Sequence, residues 1–134
     1  MKHLIMFGLL GLTAAQAQAG AVIVAKDSPL SAIDLEEAKK IFLGREPQLG
    51  GLTLTVVYQG EGTPRTDFET KVLGKTGAEL SGYWSKLIFT GKAQAPVEAG
   101  GDLGVKTKVS QTAGAVGYIS DGAVDGSVKV LLKY

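Results

Sequence analysis

Along the chain, short β-branched runs alternate with longer stretches of helical spacing, and the alternation begins at Gly20. Ala21-Val-Ile-Val-Ala25 is continuously apolar and is bounded by Lys26-Asp-Ser-Pro29, the pattern of a buried strand. Asp34-Leu-Glu-Glu37 has the spacing of a capping box, with acidic residues in the electropositive first turn of a helix. Leu35, Ala38, Ile41 and Phe42 share one face of that helix, and Gly44 supplies its stop. Thr53 to Tyr58 places Leu54, Val56 and Tyr58 opposite Thr53, Thr55 and Val57, which predicts a second strand.

A second helix is predicted from Thr63 as N-cap and Pro64 as first helical residue, continuing through Phe68, Val72 and Leu73 to Gly74. Thr76-Gly-Ala-Glu79 opens a third as a further capping box. Its Leu80, Trp84, Leu87 and Ile88 fall at i, i+4, i+7 and i+8 before Gly91. Gly100 to Thr112 is weakly helical at best, because Leu103, Val105 and Val109 keep no clean period. Ala113 to Ile119 reads as a turn feeding a strand, and Asp121-Gly122 and Asp125-Gly126 mark further turns. In Ser127 to Tyr134, Val128, Val130, Leu132 and Tyr134 alternate with Lys129, Leu131 and Lys133, as in an edge or half-covered strand. Together these elements predict an α/β domain with a small, largely parallel sheet flanked by helices, its first and last strands paired.

The residues before Gly20 follow a different logic. Lys2 and His3 precede an apolar run from Leu4 to Leu12, and small residues then end in Ala17-Gln-Ala19. This is the layout of a secretory signal peptide over residues 1–19, with cleavage after Ala19 and a domain over 20–134 in the periplasm or outside the cell. The apolar run is too short for a bilayer core of roughly 30 Å.

Cleavage narrows the available chemistry. The chain has no Cys, and its one His is in the leader. Thiolate and imidazole catalysis and His/Cys metal sites are therefore not expected, and neither is an enzyme or a cofactor. Loss of Lys2 leaves 13 basic and 13 acidic residues, a balance that argues against nucleic acid as a partner. Arginine occurs only at positions 45 and 65.

The second strand runs directly into Gln59-Gly-Glu-Gly-Thr-Pro-Arg65. A glycine-rich turn that opens a helix lets a ligand approach unpaired backbone N–H groups at the positive end of the helix dipole, which suits a small anion. Gly60, Gly62, Thr63 and Arg65 are the candidate ligand-binding residues. Thr63 and the turn also have a plain capping role. The Gly-Lys-Ser/Thr of a nucleotide-binding P-loop is missing. Arg45 suits a helix C-terminus, Trp84 and Tyr118 suit packing, and Glu36 and Glu37 suit a helix start.

Five motifs in order carry a resemblance. They are Leu35 to Arg45, Val57 to Arg65 with Phe68 and Val72-Leu-Gly74, Tyr83-Trp84, Ile88-Phe-Thr-Gly91, and Gly114-Ala-Val-Gly-Tyr118. With them the chain resembles the phosphate ABC-transporter substrate-binding proteins, and more closely their short, secreted, single-domain members. The resemblance implies one lobe of a type 2 periplasmic-binding fold, with phosphate or a related oxyanion as ligand. It also implies a membrane transporter or another periplasmic protein as partner, and a homodimer as one way to build a two-walled cleft. Glu61 stands at or beside the position where the family's loop carries Ser. A protein–protein interaction module derived from one lobe is the alternative.

Overall fold

A computed structural model describes residues 18–134, so the expected leader falls almost wholly outside the described residues. The elements run β1 (Gly20–Ala25), α1 (Leu35–Phe42), β2 (Gln48–Leu49), β3 (Leu52–Thr53), β4 (Thr55–Gln59), α2 (Thr63–Phe68), α3 (Gly77–Phe89), β5 (Val97–Ala99), α4 (Gly101–Gln111), β6 (Ala115–Ser120) and β7 (Val128–Lys133). The main sheet has the order β5-β4-β6-β1-β7. β4 pairs in parallel with both β5 and β6, whereas β1 lies antiparallel between β6 and β7. Four of the five strands therefore point one way, as a largely parallel sheet requires. The first strand sits beside the last, and β7 is an edge.

Strand alternation divides the core into two layers. Val22, Val24, Tyr58, Val116 and Tyr118 face α1, α2 and α3. Ala21, Ile23, Val57 and Ile119 face Val105 and Val109 of α4. The first layer is aromatic at its centre: Phe68 stacks on Tyr118 at 3.9 Å, and Phe42 meets Phe68 edge-on at 4.7 Å. Trp84 packs here as expected, and its indole N–H donates to the Tyr58 hydroxyl at 3.2 Å.

Several expectations need correction. Residues 101–111 form a full helix, α4, whose Val105 and Val109 are buried while Leu103 is exposed. The weak period arises because only a narrow stripe meets the sheet. Gly117 makes that contact possible, since a Cβ there would lie 2.6 Å from Val105 Cγ1. The predicted strand from Thr53 to Tyr58 is two: Leu52–Thr53 turns back on Gln48–Leu49 as a hairpin, and Thr55 starts β4.

The N-cap of α2 is Gly62, with Thr63 the first helical residue and Pro64 the second. That helix then widens into one π turn over Glu69–Leu73 before Gly74. Thr76 does cap α3, but without a side-chain hydrogen bond, unlike Asp34, whose carboxylate accepts from Glu37 N at 2.8 Å. Finally, a bulge in β7 shifts the expected alternation. Val22 pairs with Leu132 but Ile23 with Val130, so Leu131 is the extra residue and turns into the core.

Candidate functional site

The parallel strands β4, β5 and β6 all end at one edge of the sheet, and the turn 60–62 begins there. Gly20, paired with Ser120, and Tyr134 reach the same edge. The starts of α2 and α4 point at it too, so two sets of first-turn amides converge on this edge. In open α/β sheets this is where ligands bind.

The structure brings the four candidate residues together in that turn. Gly62 has φ +150°, a conformation that favours glycine, and exposes the backbone ahead of α2. Its lack of a side chain leaves the capping position without an intrachain acceptor. Thr63, displaced from that position, keeps an exposed hydroxyl. Gly60 and Gly62 provide the approach to the amides.

Arg65 does not extend into solvent. Its guanidinium folds back along the turn, where Nη1 donates to the Gln59 carbonyl at 3.0 Å and Nε donates to Glu69 Oε1 at 3.1 Å. Its carbon Cζ lies 5.7 Å from the centre of the Tyr58 ring. Among the described residues Nη2 has no hydrogen-bond partner. Partial burial opposes the charge, but the hydrogen bond to Glu69 and the fields of the Glu69 and Glu98 carboxylates outweigh it and raise the Arg65 pKa. The cation is fixed.

The residues that fix it were not all visible in the sequence. Glu69, one turn beyond Arg65, is buried, and the i, i+4 spacing alone signals the pair. Gln59 is buried as well. Its amide nitrogen donates to Tyr118 O at 3.1 Å and to Asp102 Oδ1 at 2.6 Å, and its backbone N–H donates to the Tyr118 hydroxyl at 3.1 Å. Burial pushes the Tyr118 phenol up to about 12, so it stays a neutral acceptor here. Asp102, on the first turn of α4, also accepts from Ser120 N at 3.0 Å, tying α4 to β4 and β6. Glu98 comes from β5, a strand of three residues with no pattern of its own, and its Oε1 lies 3.7 Å from Arg65 Nη1.

Glu61, the acidic residue of the loop, is exposed and does not contact Arg65. Arg45 lies past α1 and stacks over Tyr83 at 5.9 Å. A groove of about 560 Å³ is lined by Ile41, Leu54, Val56, Trp84 and Pro96. Beside Arg65 there is a small hollow of about 160 Å³, bordered by Tyr58, Leu80, Trp84 and Glu98.

No family model and no curated protein matches the chain. Solved structures do. An ABC-type phosphate transport receptor from Vibrio cholerae superposes with a TM-score of 0.68 at 26% identity, over 85% of this chain and 45% of that one. A phosphate ABC transporter substrate-binding protein with bound phosphate, from Clostridium perfringens, gives 0.66 at 25% identity, over 85% and 44%. PstS from Borrelia burgdorferi, at 17% identity, shows the same fold with a TM-score of 0.64 over 85% and 46%. The chain thus has the fold of a single periplasmic-binding-protein-like lobe, and it spans less than half the length of these receptors.

Proposed function

We propose that the protein is a non-enzymatic binding protein for a small tetrahedral oxyanion, phosphate first, serving a periplasmic transport or sensing step. The anion sits on the turn from Gly60 to Arg65. Gly62 and Thr63 amides and the Thr63 hydroxyl donate to it, and the free Nη2 of Arg65 supplies the charge-assisted bond. The observation that carries this reading is the placement of Arg65. A cation on the first turn of a helix is unfavourable on its own, yet this one is held in place beside the exposed amides. The likeness to phosphate receptors supports the choice of ligand, and a transporter or periplasmic protein is the partner it suggests.

A single wall limits affinity. A helix start contributes about 0.3–1 kcal/mol and a charge-assisted hydrogen bond about 1.5–3 kcal/mol, together at most about 4 kcal/mol, which corresponds to a dissociation constant on the order of 1 mM at the tightest. The carboxylates around the seat favour a ligand that carries its own proton to share, so hydrogen phosphate is expected to bind better than sulfate.

Calorimetric titration with inorganic phosphate, followed in parallel by Trp84 fluorescence, tests the proposal. Saturable binding that disappears in Arg65→Ala, with an unchanged fold by circular dichroism, supports it. Absence of heat and of any thermal shift at tens of millimolar would return the fold to an interaction module.

A further inference from the structure

The carboxylates next to Arg65 are held in opposite ways. Glu69 is part of the same helical run, its side chain is 10% exposed, and it accepts a direct bond from Nε. It is a permanent counter-charge that packing does not let go. Glu98 projects from the edge strand β5 with its side chain 62% exposed, and only the 3.7 Å approach to Nη1 draws it in. Its Oε1 is also the nearest atom to the missing side chain of Gly60, 3.3 Å from where a Cβ would stand. One carboxylate oxygen therefore lies against both the turn and the guanidinium.

Resting on the function proposed above, we propose that Glu98 is a built-in competitor for Arg65 at the rim of the oxyanion seat and lowers its affinity. In the empty protein its carboxylate faces Arg65 Nη1 and the Gly60 backbone, beside the groups that would take the anion, and an incoming ligand must push it aside to share the guanidinium. The physical basis is competition at one cation. With Glu69 fixed, the Arg65 charge is already matched, so Glu98 adds surplus negative charge at the point of entry. Because that side chain is exposed and the ion pair weak, it swings out at little cost, and the measured constant is the intrinsic one divided by the fraction of protein with the seat open.

The test compares wild type, Glu98→Gln, Glu98→Ala and Glu61→Gln as full chains, titrated with inorganic phosphate at constant ionic strength. Glu98 is exposed and outside the core, so both of its variants are expected to fold, as checked by thermal melting. Both should bind phosphate roughly threefold to tenfold more tightly than wild type. Glu61→Gln removes a like charge from the same loop without touching Arg65, and it should change affinity by less than about twofold. Equal gains in Glu61→Gln and Glu98→Gln would overturn the displacement, because a general field would then explain both. Unchanged or weaker binding in the Glu98 variants would also overturn it, leaving phosphate binding by the wild type standing. No binding by any of the four proteins overturns the seat itself, and this inference with it.

Discussion

Asp102 illustrates how one residue ties the site to stability. It was not among the residues the sequence singled out, because an acid in a helical first turn is ordinary. In place, it takes hydrogen bonds from Ser120 N and the Gln59 amide. Burial works against its charge, but those bonds and the field of Lys106 outweigh burial and hold its carboxyl below the usual range. A lowered folded pKa means the stabilisation is present above the unfolded value, near 3.9, and fades as pH falls from there through the folded value. Asp102→Ala should therefore cost about 1–3 kcal/mol at pH 7. Its deficit against wild type should shrink steadily below about pH 4. Urea titrations of both proteins at pH 7 and in steps below pH 4 measure this. A deficit that is constant with pH would mean that packing, not charge, is what Asp102 provides.

At the level of elements, legibility followed burial. β1 was readable because both of its faces are covered, so Ala21 to Ala25 show an unbroken apolar run, and α1 because Asp34 caps it and Ala38, Ile41 and Phe42 face one way. α4 was not, because its contact with the sheet is a stripe of Val105 and Val109 made possible by Gly117, a partner far away in sequence. Gly117→Ala should cost about 1–3 kcal/mol by pressing a Cβ against two stiff β-branched side chains. Gly122→Ala, where a Cβ meets nothing within 4 Å, should stay within about 0.5 kcal/mol. β7 erred in phase instead of type. Alternation puts Leu131 on the outer face, but the bulge turns it into the core at 3% exposure, while Leu132 remains partly open. Denaturant midpoints should show Leu131→Ala losing about 2–4 kcal/mol and Leu132→Ala clearly less. The reverse order would restore the simple alternation. The candidate site divides in the same way: the turn 60–65 is local and was visible, whereas Glu98 and Asp102 reach it only through the sheet.

For the molecule as a whole, the proposed function would couple ligand and fold at one edge. The strand ends of β4, β5 and β6, the starts of α2 and α4, and Tyr134, bonded to Gly20, meet there. A ligand on the Gly60–Arg65 turn spans only part of that edge, yet Gln59 links the turn to β6 through Tyr118 and to α4 through Asp102. Unfolding scatters these donors, so under the proposed function phosphate binds the folded state alone and stabilises it by mass action. At ten times the dissociation constant the gain is about 1.4 kcal/mol. For a domain of this size that raises the melting temperature by about 3–8 °C. Chloride at matched ionic strength should produce no such rise, because it only screens the exposed charges. Arg65→Ala should melt without a phosphate response, whereas Glu98→Gln should reach the same upward shift at a lower phosphate concentration. A shift that is equal in phosphate and chloride, or that persists in Arg65→Ala, would place the effect in general ion exclusion and remove the seat from the argument.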